Sequence, residues 1–219
     1  MTGKKTIIPN TPTHSDYRQE SEKDLSWTDA TDPIALFKEW LAQAGETELN
    51  DPNAMSLATV DEGGLPDVRI VLLKGFDAQG FVFYTNGKSA KGQQLSSGKA
   101  ALCFHWKTQK RQIRVRGAVT PVSAEQSDAY FAERARGSRI GAWASDQSRP
   151  VADRQTMIDK VATAEERFPN DVPRPPYWHG WRISPDYIEF WQDGAFRLHD
   201  RIVFKPKNKS EWAMQRLYP

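Results

Sequence analysis

Near the end of the chain, Glu189–Arg201 reads E-F-W-Q-D-G-A-F-R-L-H-D-R. A turn at Asp193-Gly194 is followed by Arg197, His199 and Arg201 at every second position. In an extended chain successive side chains point to opposite faces, so these three are expected to share one face. Two guanidiniums and an imidazole on one face attract an anion and can share or exchange a proton. The same pattern also suits a hairpin with a solvated cationic edge.

Three other clusters set charge or hydroxyls where the chain otherwise reads as core or turn. R-I-V-L-L-K at 69–74 is an apolar strand with Arg69 and Lys74 at its ends and Ile70, Val71, Leu72 and Leu73 between them. Its ends could line a cleft and grip a phosphate, or simply mark a strand leaving a sheet. Tyr84 and Thr85 close a second strand just before S-A-K at 89–91, where a helix start and Lys91 offer N–H groups and an ammonium. Tyr130 and Arg134 stand four apart, on one helical face, and Ser138 is expected to cap the next helix. A phenol, a guanidinium and a hydroxyl meeting at one point suit a phosphomonoester; a surface Tyr–Arg stack is the plainer reading. Gln112 and Gln147-Ser148 add neutral groups that could read the edge of a heterocycle.

Composition narrows the classes. The chain has 219 residues, 38% of them hydrophobic, with eight Trp, enough for a substantial core. Its net charge is +2, from 30 Lys and Arg against 28 Asp and Glu, so there is no general field for nucleic acid. Any anion site must be built locally. The single Cys103 rules out an intrachain disulfide framework and fits a reducing cytoplasm. No apolar run reaches the roughly 20 residues of a membrane span, and the N-terminus lacks a signal-like apolar core. The four His have no metal-site spacing, and G-x-S-x-G, Walker and G-x-G-x-x-G patterns are absent, which argues against a hydrolytic triad or a catalytic metal.

The elements that must position these residues are mostly strands. Residues 1–31 are polar, carry Pro9 and Pro12 without a period, and read as a mobile arm. Asp32 caps a helix with Pro33 first and Ile34, Leu36, Phe37, Trp40 and Leu41 on one face, ending at Gly45. Strands follow at Met55–Val60, Val68–Lys74, Phe81–Thr85, Ala100–Trp106 and Gln112–Val122, with a short helix capped by Ser89 among them. Helices are expected from Ser123 to about Arg134, over Ser138–Ala144 and over Ala152–Phe168, before the Pro-rich linker 169–176. Trp178–Ile183, Tyr187–Gln192, Arg201–Lys205 and Trp212–Leu217 complete the strands. Short strands with tight turns predict a mainly β, antiparallel barrel with flanking helices.

The motifs R-I-V-L-L-K, F-Y-T-N, R-I-G-A-W with Q-S following, and I-E-F-W-Q-x-G-x-x-R-L-H-D-R resemble those of the pyridoxamine 5′-phosphate oxidase family. The resemblance runs from about Asp32 to the terminal R-L-Y-P. It implies an FMN-binding split β-barrel over 32–219, with 177–219 the segment for dimerisation and the active site, and a homodimer with FMN at the subunit interface. The implied reaction oxidises pyridoxamine or pyridoxine 5′-phosphate to pyridoxal 5′-phosphate, with O₂ reduced to H₂O₂. It also implies that Arg69–Lys74, Tyr84, Thr85, Lys91, Gln112, Gln147, Ser148, Trp191 and Arg201 surround FMN. Lys74, Tyr130, Arg134 and Ser138 would hold the substrate phosphate, and Arg197 and His199 the pyridine ring. Two places depart from the family pattern: S-A-K stands where S-R-K is common, and the arm matches only at Tyr17. The alternatives are a related flavoenzyme of the phenazine-pathway type and a non-catalytic carrier of FMN or pyridoxal phosphate. Neither a nucleic acid nor a membrane is an expected partner.

Overall fold

The computed structural model describes residues 12–14, 24–208 and 211–219. Most of the expected mobile arm, Tyr17 included, lies outside the described residues. Within the arm, Ser26–Asp29 form a 3₁₀ turn that buries Trp27 against Trp40, with ring centroids 5.0 Å apart. The packed chain therefore begins ahead of Asp32, because an indole supplies apolar area that the polar residues around it do not advertise.

Helix α1, Pro33–Thr47, starts where Asp32 Oδ1 accepts the N–H groups of Ile34 (2.8 Å) and Ala35 (3.2 Å). It runs past Gly45, its expected end, since the ladder continues until Glu48 N–H donates to the Ala44 carbonyl. Its buried stripe is Leu36, Phe37, Trp40 and Ala44. Phe37 sits edge-on to Phe76, Phe81 and Phe104, with centroids 4.8, 4.9 and 5.2 Å away. Truncating such a fully buried ring costs roughly 3–5 kcal/mol.

Nine strands make one antiparallel sheet among the described residues. They are β1 (Ala54–Val60), β2 (Pro66–Leu72), β3 (Gly75–Asp77), β4 (Gly80–Asn86), β5 (Lys99–Trp106), β6 (Arg111–Pro121), β7 (Trp178–Gln192), β8 (Asp200–Pro206) and β9 (Trp212–Arg216). The order is β2-β1-β5-β6-β7-β4-β3, with β8 also on β7 and β9 on β8. The expected mainly β antiparallel barrel holds. Short helices α2 (Ala90–Gln94), α3 (Ala124–Glu133), α4 (Arg136–Ala144) and α5 (Arg154–Arg167) flank it. Among the described residues no helix is long and apolar enough to cross a membrane.

Trp178–Ile183 and Tyr187–Gln192, expected as two strands, are one 15-residue strand. Its register with β6 slips at Arg116/Gly117, so Asp186 is the extra residue of a bulge. One inserted residue reverses which parity faces inward. Ile183 before the bulge and Ile188 and Phe190 after it are therefore all fully buried, while Trp178 and Trp191 occupy the other face near opposite ends. At about 3.3 Å per residue that spacing reaches up to ~40 Å along the strand.

The linker is also anchored. Val172 is buried with Ile140, Ala144 and Ala164, Arg136 donates to the Phe168 and Asn170 carbonyls, and Trp143 Nε1–H donates to Pro173 O (2.7 Å). These contacts fix α4 against α5 and set one wall of the cleft described next.

Candidate active site

A cleft of about 720 Å³ opens between the β2 and β4 strand ends and helices α2 to α4. That volume lies within the roughly 300–1,000 Å³ usual for small-molecule sites. Of the expected residues, Ile70, Val71, Leu72, Lys74, Tyr84, Thr85, Lys91, Tyr130, Arg134, Ser138 and Gln147 line it. Its lining carries three cations, Lys74, Lys91 and Arg134, and neither Asp nor Glu. A concave surface of that composition favours an anion.

One wall is aromatic. Tyr84 stacks on Tyr130 with centroids 4.0 Å apart and planes 20° from parallel, and Trp178 lies 11° from Tyr84 and 10° from Tyr130. Gly180 makes room for this wall, because a Cβ there would come within 2.6 Å of the Tyr84 ring. Arg134 lies over Trp178, and Lys74 Nζ stands 6.0 Å from the Tyr130 ring centre. Burial pushes the Arg134 guanidinium below its ordinary pKa and the Tyr84 phenol above its own. Lys91 is pushed down by burial and then by the charge of Arg69; its Nζ donates to Gln147 Oε1 at 3.3 Å.

Two of the expected local causes are different in the structure. Helix α3 ends at Glu133 and Arg134 is its extended C-cap, so the pairing of Tyr130 with Arg134 is set by the turn into α4 rather than by helical spacing. Ser138 does not cap α4. The cap is Ala135, without a side-chain bond, and Ser138 lies in the first turn, where its N–H donates to Ala135 O at 2.9 Å.

Other expected residues lie elsewhere. Leu73 is buried in the core, with Asn53 bonded to its N–H and its carbonyl. Arg69 is absent from the cleft lining: it donates to Leu57 O, Thr59 Oγ1, Gln94 Oε1 and the Asp67 carboxylate. Ser148 follows Gln147 with φ 71°, and it too is outside the lining. Gln112, Trp191 and Arg201 form one cross-strand row on β6, β7 and β8, at the far end of β7 from Trp178.

Arg197 and His199 belong to that second group, but not on one extended face. Ala195–Arg197 form a 3₁₀ turn with φ of 56° at Phe196 and 66° at Arg197, and the extended run resumes only at Asp200. The turn follows from Gly194, whose Cβ position lies 1.8 Å from Leu198 O, so the chain doubles back on itself. His199 packs 4.7 Å from the Trp191 ring. Its Nδ1 accepts the Gly194 N–H (3.1 Å) and lies 3.0 Å from Asp193 Oδ1. Nδ1 thus faces a backbone donor and a carboxylate together, which fixes the orientation of the ring.

Sequence reasoning did not single out Ala135, Ser145 and Trp178 in the lining, and it quoted Asn86, Gly141 and Ala142 only within the motifs F-Y-T-N and R-I-G-A-W. Asn86 pairs with Trp178 in the β4–β7 register, a long-range contact that no local pattern signals. Among the described residues no group of His, Cys, Asp or Glu could hold a metal ion.

Residues 41–168 match the family described as pyridoxamine 5′-phosphate oxidase, and residues 178–219 match the pyridoxine 5′-phosphate oxidase C-terminal dimerisation region. A pyridoxine/pyridoxamine 5′-phosphate oxidase of Hyphomonas neptunium is 56% identical over 217 residues, covering 98% of this chain and 99% of that one. One of Caulobacter vibrioides is 53% identical, with all of both chains covered. In structure, PhzG from Burkholderia lata, solved with tetrahydrophenazine-1-carboxylic acid, superposes with a TM-score of 0.82 at 29% identity, over 89% of this chain and 96% of that one. The split-barrel fold, the antiparallel core and the two matched regions together place the chain in the pyridoxamine 5′-phosphate oxidase family of oxidoreductases.

Proposed function

We propose that the protein is an FMN-dependent oxidase that converts pyridoxamine or pyridoxine 5′-phosphate to pyridoxal 5′-phosphate. The observation that carries this reading is the cleft with three cations and no carboxylate in its lining. A phosphomonoester brings close to two negative charges and three acceptor oxygens, which such a lining can satisfy. Flavin and substrate both carry such a group. Lys91 and Gln147 lie at one part of the lining, while Lys74, Tyr130, Arg134 and Ser138 form a second set. The first would hold the flavin phosphate and the second the substrate phosphate.

When bound, the flavin would supply a two-electron acceptor for the hydride from the substrate's C4′, and O₂ would restore it with formation of H₂O₂; for the amine substrate, water would take the place of the nitrogen at C4′, which leaves as ammonia. The chain's own residues bind and orient. Tyr84, Tyr130 and Trp178 give a flat apolar wall that excludes water beside the phosphate cations. Arg197 and His199 would orient the substrate ring, with His199 Nε2 free of the bond that Gly194 makes to Nδ1. Both residues are separated from the cleft within one chain, as are Gln112, Trp191 and Arg201. The reading therefore includes a homodimer in which each copy completes the other's site, consistent with the matched dimerisation region. The lone half-buried thiol of Cys103 fits a cytoplasmic setting.

Lys74 and Arg134 favour a phosphorylated substrate over a phenazine-type acid, because a phosphomonoester brings close to two negative charges and three acceptor oxygens to the pair, whereas a single carboxylate would leave part of that buried positive charge unmatched. The test compares pyridoxamine with its 5′-phosphate under steady-state conditions. A kcat/KM at least about a thousandfold higher for the phosphate is expected from two or more charge-assisted contacts. Equal values would exclude the phosphate reading.

A further inference from the structure

Glu189 is 1% exposed, yet it lies on the outer face of the sheet, between the core residues Ile188 and Phe190 in sequence. It is covered by its own partners. Its Oε1 accepts from Arg201 Nε (3.0 Å) and lies 2.9 Å from Arg201 Nη2 as an ion pair, and its Oε2 accepts from Arg114 Nη2 and the Tyr187 hydroxyl. Arg201 is tied again at its other end. Its Nη1 donates to Tyr218 O (2.9 Å), and its own carbonyl accepts the Leu217 N–H (2.9 Å). Two of the five guanidinium N–H groups, on Nε and Nη1, thus donate to the protein, and Nη2 is held beside the carboxylate.

A single carboxylate beside Arg201 would cancel its charge. Arg114 on the other oxygen offsets this, so the Arg114–Glu189–Arg201 group keeps a net positive charge on the β7–β8 face beside Trp191. A buried charge held by this many donors is costly to assemble and often adds no net stability. What it does supply is a fixed guanidinium orientation.

We propose that Glu189 and the C-terminal Leu217–Pro219 segment are positioning elements that lock the Arg201 guanidinium in the pose that meets the flavin. The proposal rests on the reading that Arg201 contacts FMN. It assigns the last residues of the chain a place in cofactor binding, through a main-chain carbonyl rather than a side chain.

The experiment measures the FMN dissociation constant by titrating apo-protein into FMN and following the quenching of flavin fluorescence. It compares wild type, Glu189→Gln, Arg201→Gln, the double variant, and a chain ending at Leu217 with and without Arg201→Gln. Far-UV circular dichroism confirms that each is folded. Glu189→Gln and the shortened chain should each weaken FMN by roughly tenfold, and neither change should weaken it further once Arg201 is Gln. A purely structural role would instead give independent, multiplying losses, and that result, or an unchanged affinity in both single variants, would overturn the proposal. If Glu189→Gln does not fold, the shortened chain decides by the same criterion. Wild-type protein that binds no FMN would remove the underlying reading, and this proposal with it.

Discussion

The Arg134 guanidinium lies 4.7 Å over the Trp178 ring, so this cation of the cleft is held by a π-face rather than by a carboxylate. Its charge stays available to a ligand. Lys cannot reproduce either the planar stacking or the forked donor geometry. Arg134→Lys should therefore raise KM for the phosphorylated substrate by about 10–100-fold and leave kcat nearly unchanged. Steady-state kinetics test this, and an unaltered KM would remove Arg134 from phosphate binding.

Lys91 makes a pH prediction whose sign follows from its surroundings. Burial, and then the charge of Arg69, hold its pKa below the ordinary 10.5. A phosphate binds the protonated amine. Affinity for FMN should accordingly be full at neutral pH and decline as pH rises through that lowered pKa. Arg does not titrate in this range, so Lys91→Arg should flatten the profile. A wild-type affinity that is level from pH 7 to 10 would place the flavin phosphate elsewhere.

Gly194 bears on catalysis more than on folding. A methyl there would meet the Leu198 carbonyl at 1.8 Å, a backbone contact that cannot move aside cheaply. Gly194→Ala should displace the Arg197–His199 turn while the buried core of β7 and β8 stays packed. An about 100-fold loss of turnover is expected, since small misplacements of orienting groups cost that much. The melting temperature should change by only a few degrees, because the affected loop is short and half exposed. Loss of folding in place of loss of turnover would show the turn to be a structural anchor.

What was legible in the sequence was the set of elements with local causes. Asp32, Ser89 and Ser123 each cap the helix expected of them. The alternating strands and the cation-bearing motifs of the cleft were equally visible. What was not legible depends on distant pairing. The Asp186 bulge fuses two expected strands and lets residues of opposite parity share the core. Trp178 enters the cleft only through its register with Asn86. Arg197 and His199 were read as alternating on a strand, but the left-handed backbone at Phe196 and Arg197 breaks that period. A two-residue rule has no means of foreseeing such a turn.

Acid should dismantle the Glu189 group before it unfolds the rest. Burial alone would raise this carboxyl, but the Tyr187 hydroxyl and the Arg114 and Arg201 guanidiniums outweigh it and lower the pKa below 4.5. A depressed folded-state pKa stabilises the fold above the unfolded value and loses that contribution as pH falls through the folded one. Urea unfolding between pH 3 and 7 should show stability dropping below about pH 4.5. The drop should be shallower in Glu189→Gln, and parallel curves for the two proteins would mean that Glu189 is not ionised in the fold.

The most direct measurement of the central claim is made on purified protein in air. Its visible spectrum is recorded with added FMN, then pyridoxamine 5′-phosphate is supplied and pyridoxal 5′-phosphate and H₂O₂ are followed together. The account predicts a yellow, flavin-bearing protein that forms the two products in equal amounts. Bound flavin with no product, or no flavin binding at all, would contradict it.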